Sequence, residues 1–186
     1  MSARLQVSQP LNIDLRVQKT QTKLYGVLAG FFHAGRTFES ISVQDLCAEA
    51  GVSRATFYRH HEWVSQIIEV QILRKLREFS VRFDQEQLLR ENVVRLVVEM
   101  VQNNRELFQV IEWSRMESGF VEIISGEFLR IGLLLGAEFT HEQFARNYLA
   151  RMILELGLEV GLADTQFENG QLVGLVLESV GVVARG

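Results

Sequence analysis

The sequence predicts an all-α fold: an N-terminal three-helix unit built as a helix-turn-helix, then a C-terminal helical bundle, about nine helices in total. Three observations carry this. The 186 residues contain one proline, so helical hydrogen-bond ladders are almost nowhere interrupted. Apolar residues recur at spacings of three and four, the period of a helix face. Apolar types make up 47% of the chain, enough for a sizeable core at this length. The chain divides into an arm (1–15), a helix-turn-helix unit (16–62) and a helical domain (63–186).

The arm is polar, mixed and contains Pro10, the composition of a flexible terminus. Residues 16–34 form the first helix, because Leu24, Val27, Leu28, Phe31 and Phe32 share one face. Arg16, Lys19, Thr20 and Lys23 crowd its N-terminal half. Gly35 ends it, and Phe38 and Ile41 cover the base of the small unit.

Residues 41–61, ISVQDLCAEAGVSRATFYRHH, organise the rest. Ser42 precedes a short apolar run and is followed three residues later by Asp45. Its hydroxyl suits the free N–H groups of a first helical turn, and an acid there suits the positive helix end. Val43, Leu46 and Cys47 fall on one face. Gly51 stops the helix, since glycine enters the left-handed conformation without steric cost. Ser53 caps a second helix of about two turns, with Thr56 three residues on. That helix has one strongly apolar anchor, Phe57; its other face carries Ser53, Arg54, Thr56, Tyr58, Arg59 and His60. A polar, basic face on a short helix matches the width and charge of the DNA major groove.

The blocks Ser42-Val43-Gln44-Asp45-Leu46, Ala50-Gly51-Val52-Ser53 and Thr56-Phe57-Tyr58-Arg59-His60 closely resemble the DNA-binding domain of the TetR/AcrR family of transcriptional regulators. The resemblance covers about residues 16–68. With the chemistry of the side chains, it implies base reading by Arg54, Ala55, Thr56 and Arg59, with Ser53 in support. Tyr58 and His60 are then phosphate contacts, and Ser42 shares its capping hydroxyl with a phosphate; packing beside Phe57 is the other reading of Tyr58. The sequence departs from the family after His60. His61 stands where phenylalanine is common, and Val64 where a lysine commonly meets a phosphate. Weaker binding is one expectation, compensation from His60, His61 or the arm the other.

Residues 63–81 read as one long helix with Val64, Ile67, Ile68, Ile72, Leu76 and Phe79 inward. A broad apolar stripe follows in 85–102, including Leu88, Leu89, Val93, Leu96, Val97, Met100 and Val101. Asn103 or Asn104 caps a helix from Arg105 to Trp113, Ser118-Gly119 marks a break, and a helix from about Phe120 to Leu135 ends at Gly136. Thr140 with Gln143 forms a capping box for a helix carrying Phe144, Tyr148, Met152, Leu156 and Val160. A turn from Asp164 to Gly170 precedes a nearly uncharged helix, Leu172 to Val183. Gly157 and Gly161 bare a strip of backbone, and Gly174 and Gly181 lie seven apart. Such strips serve either a monomer core or close approach of two copies. TetR-like proteins pair through their last two helices, which implies a homodimer here, and a twofold dimer reads a palindrome.

Net charge is −4, but residues 1–61 hold seven bases against four acids, +3, leaving −7 on the remainder. A basic head on an acidic body fits a DNA-binding module joined to something else. One cysteine, Cys47, excludes an internal disulfide framework; it reads as a small packed residue rather than a redox sensor. No signal peptide or membrane span is legible, so the protein is expected in the cytoplasm. No phosphate loop, nucleophile elbow or metal motif is present, and an enzyme is unsupported; no cofactor is expected.

The expected function is a homodimeric repressor on double-stranded DNA, released by a small apolar or anionic effector. Phe108, Trp113, Arg115, Met116, Phe120 and Phe128 are the expected effector-binding residues. The alternative is a protein-interaction regulator with weak or lost DNA binding.

Overall fold

Helix ends are where this chain is most explicit, and the computed structural model follows most of them. It describes residues 15–85, 90–134, 136, 138 and 140–183; the expected arm, save Leu15, and Leu88 and Leu89 lie outside these. Nine α-helices run through the described residues, with no strand among them: α1 (Leu15–His33), α2 (Val43–Ala50), α3 (Arg54–Tyr58), α4 (Ser65–Gln85), α5 (Arg90–Asn103), α6 (Arg105–Trp113), α7 (Glu117–Leu134), α8 (Glu142–Leu162) and α9 (Asn169–Val183). No described helix is long and apolar enough to cross a membrane.

The first three helices form the head. Leu24 and Leu28 of α1 are fully buried against Leu46 of α2 and Phe57 of α3 in one apolar cluster. Helix α4 carries that cluster onward through Ile67, Ile68, Ile72, Leu76, Phe79 and Phe83, so a single core runs from head to body. Gln21 ties α1 to α4 by donating its side-chain amide to the Ile67 carbonyl at 2.9 Å.

In the body α7 and α6 lie against α8, and α9 lies against α5. The α6–α8 packing depends on glycine. A Cβ on Gly157 would stand 2.0 Å from Cε1 of Phe108, and one on Gly161 3.2 Å from the Arg105 carbonyl. These two glycines therefore serve a contact inside the protomer, which takes them away from the pairing of copies. Gln109 donates to the Gly161 carbonyl at 2.7 Å, and Arg105 to that of Ala163, satisfying groups left open at the end of α8.

Three expected boundaries are corrected. The break at Ser118-Gly119 is helix: α7 starts at Glu117. The turn falls at 114–116, where the N–H groups of Arg115 and Met116 return to Glu112 and Ile111, with Arg115 left-handed at φ +56°. Thr140 does not cap α8; His141 holds that position with no side-chain cap bond, and the box loses its register because Gln143 is the second helical residue. Asn104 does hold the N-cap position of α6, as expected, but its side-chain amide donates back to the Met100 carbonyl and makes no cap bond. Helix α9 also begins earlier than expected, at Asn169.

Candidate nucleic-acid interface

The turn between α2 and α3 is fixed by three local devices. Ser42 accepts the Asp45 N–H at 3.0 Å. A hydrogen bond from the Ser42 hydroxyl holds the exposed Asp45 carboxyl below its usual range, aided by the Arg36 guanidinium 3.4 Å away. Gly51 is left-handed at φ +61°, and the N–H groups of Gly51 and Val52 return to Ala48 and Cys47. Ser53 accepts the Thr56 N–H at 3.1 Å and meets the Thr56 hydroxyl at 2.8 Å.

Phe57 is fully buried and pins α3 from behind. Outside lie Ser53, Arg54, Ala55, Tyr58, Arg59 and His60, with Thr56 half-buried and Ser42 exposed at the start of α2. The eight residues expected to meet DNA thus have accessible surface on the head. Tyr58 divides between its two readings: its ring meets Phe57 edge-on at 5.3 Å, yet it is 51% exposed. The Arg54 guanidinium stands 6.0 Å from that ring. Arg16, Lys19 and Lys23 are exposed on α1.

The α3 helix is shorter than expected. It covers five residues, with Arg59 as the C-cap and His60 in the turn beyond. The N–H groups of His60 and His61 both return to the Phe57 carbonyl. His61 is then turned inward, which corrects its expected role in compensating for the absent lysine. It is 6% exposed, its ring lies 5.3 Å from that of Phe57, and its Nδ1 is buried with no partner among the described residues. Burial depresses its pKa, and the neighbouring His60 adds to that. Cys47 is buried in the same core, and burial raises its thiol pKa against the opposing effect of Arg54.

The expected effector residues separate into two groups. Phe108, Phe120 and Phe128 line an apolar cavity with Ile72, Leu76 and Ile124. Its volume is about 20 Å³, room for roughly one water. Trp113, Arg115 and Met116 are not on its wall. Trp113 instead joins body to head: its indole N–H donates to the Arg36 carbonyl at 2.9 Å, with the Phe32 and Phe38 rings 5.5 and 5.3 Å away. His33 meets Glu106 at 2.9 Å along the same seam. Arg115 is exposed, 3.9 Å from Glu39, because the left-handed turn throws it outward. The cation on the cavity wall is Lys75, which the sequence could have offered: it follows buried Ile72 by three residues on α4. Among the described residues no three His, Cys, Asp or Glu side chains gather as a metal set would.

No family model matches the chain, and no curated protein does. Among solved structures it is similar to Lin0861 from Listeria innocua, at 53% identity and a TM-score of 0.87, over 94% of this chain and 96% of that one.

Proposed function

From a chain that belongs to the same family as Lin0861 of Listeria innocua, a name that states no activity, we propose a sequence-specific, DNA-binding transcriptional regulator of the TetR/AcrR type. The observation that carries the reading is the exposed face of Ser53–His60, held from behind by the single buried anchor Phe57. Arg54, Ala55, Thr56 and Arg59 read bases, while Tyr58, His60 and Ser42 meet phosphates. Arginine can bond a guanine edge in two places, and the methyl groups of Ala55 and Thr56 suit thymine.

The working form is a homodimer on a palindrome. Helix α8 supports this with exposed Phe144, Tyr148 and Leu162, and α9 with exposed Leu175; the Phe144 and Tyr148 rings stack at 5.7 Å. Burying these removes apolar surface from water. The protein acts as a repressor released by an apolar effector that enlarges the cavity beside Phe108. Such a ligand shifts the population toward a body in which the heads no longer match successive major grooves, about 34 Å apart. Helix α6 supports that coupling, since it carries Phe108 on the cavity and Trp113 and Glu106 on the head.

The test is operator selection from genomic fragments with purified protein, followed by Arg54→Ala and Arg59→Ala. Each loses about 1–3 kcal/mol of operator affinity and relaxes preference at one position. Unchanged affinity and preference in both variants would remove α3 as the reading element.

A further inference from the structure

Trp63 is a large side chain left more than half uncovered by the described residues. It is 55% exposed, and its indole N–H has no partner among the described residues. The other tryptophan shows the usual arrangement: Trp113 is half-buried and donates to a carbonyl. A bare ring with an open donor fits a partner that supplies both an apolar surface and an acceptor.

The turn between α3 and α4 decides where that partner lies. His61 goes inward under Phe57, leaving Arg59, His60, Glu62 and Trp63 outside. Trp63 is therefore exposed in the turn that directly follows α3, between it and Ser65 at the start of α4. The chemistry of the turn also limits the kind of contact. No lysine stands at 61–64, Val64 is half-buried, and the exposed Glu62 carboxylate offsets the charge of Arg59. An anchor here works through ring and N–H rather than through charge.

We propose that Trp63 is a neutral clamp on the sugar–phosphate backbone flanking α3. Its Nε1–H donates to a phosphate oxygen, and its ring lies on the adjacent deoxyribose. This rests on the DNA-binding reading above. It gives the head a backbone contact at a turn that carries no lysine, and one that salt does not screen.

The test compares the full chain with Trp63→Phe, Trp63→Ala and Arg59→Ala on one duplex, the fragment retained in operator selection or, failing one, sheared duplex DNA at low salt. Trp63→Phe keeps a ring and loses the donor, and affinity falls roughly tenfold, as for a lost hydrogen bond to a charged group. Trp63→Ala falls further. In both, the slope of log affinity against log salt stays that of the parent, whereas Arg59→Ala lowers it by about one. The emission lost between parent and Trp63→Phe is quenched when duplex is added. Parental affinity in both Trp63 variants, with Arg59→Ala weakened, overturns the clamp and leaves the DNA-binding reading standing. A reduced salt slope in the Trp63 variants overturns it too, and so does emission that depends on protein concentration without DNA, which assigns the ring to a second copy. A parent that binds no duplex at any salt sinks both readings together.

Discussion

Helices α2 and α6 close with the same hydrogen bonds and with different residues. After α2, Gly51 and Val52 return to Ala48 and Cys47; after α6, Arg115 and Met116 return to Glu112 and Ile111. Both turns need a left-handed residue, Gly51 at φ +61° and Arg115 at φ +56°. Glycine takes that conformation freely, whereas a side chain costs about 1–2 kcal/mol. The head turn obeys an instruction written in its own residue. The body turn is held by what surrounds it: Trp113 fixed on the Arg36 carbonyl before it, and the Phe120 N–H bonded to the Met116 carbonyl after it. The Gly51 turn is thus specified within a few residues, whereas the Arg115 turn leans on a partner far away in sequence, the Arg36 carbonyl.

The sharpest way to break this comparison is Gly157→Ala. Alanine is the better helix former, so a purely local view expects a gain of about 0.5–1 kcal/mol. The Phe108 ring, 2.0 Å from the new Cβ, predicts the opposite sign. That ring is fully buried, and the neighbouring cavity of about 20 Å³ cannot receive it. Overpacking of this kind costs about 1–3 kcal/mol. Denaturant unfolding should show the loss, and pairing with Phe108→Leu should recover part of it. A neutral or stabilised Gly157→Ala would show that the α6–α8 contact is not specified at this distance.

A matched pair of turn substitutions sharpens the comparison at smaller cost. Gly51→Ala places a Cβ in the left-handed region and should destabilise by about 1 kcal/mol. Arg115→Gly relieves the same strain, less the entropy glycine adds to the unfolded chain, and should stabilise by about 0.5 kcal/mol. Opposite signs in thermal unfolding are the expected outcome. If both substitutions destabilise, Arg115 makes a contact that outweighs its backbone strain.

The same division explains what could be read in advance. Ser42, Gly51 and Ser53 act on neighbours within five residues, and each stands where the sequence pattern placed it; Phe57 is the buried anchor expected of α3, although it packs against α1 as well. The α6 limits, Arg105–Trp113, were equally plain. Ser118-Gly119 misled because glycine is tolerated inside a helix, while the real turn used an arginine that carries no turn signal. Gly157 and Gly161 announced a close approach but not its partner, Phe108, some fifty residues away. Trp113 was legible as an aromatic and illegible as a head-to-body joint, because its partner is the carbonyl of Arg36. Trp63 precedes α4 and stands outside the apolar stripe expected for 63–81, in keeping with its exposure.

The smallest expected effect comes from a head position where local pattern and burial disagree. His61 fills an apolar place with an imidazole whose Nδ1 has no partner among the described residues. Burial lowers its folded pKa below the ordinary 6.5, so between those two values the unfolded chain binds the proton more readily. The His61 contribution to stability is therefore full above about pH 6.5 and declines as pH falls through that value, until the folded-state pKa is reached. Asp45 also has a depressed pKa, but its contribution is lost only as pH falls below its ordinary 3.8, so it does not change between pH 7.5 and 5.5. His61→Phe removes the titrating group while keeping a ring against Phe57. Urea midpoints at pH 7.5 and 5.5 should then differ less in the variant than in the parent, with the variant more stable at both. An unchanged difference would place the proton on another group and leave His61 a neutral core residue, as local in its effect as the phenylalanine it packs on.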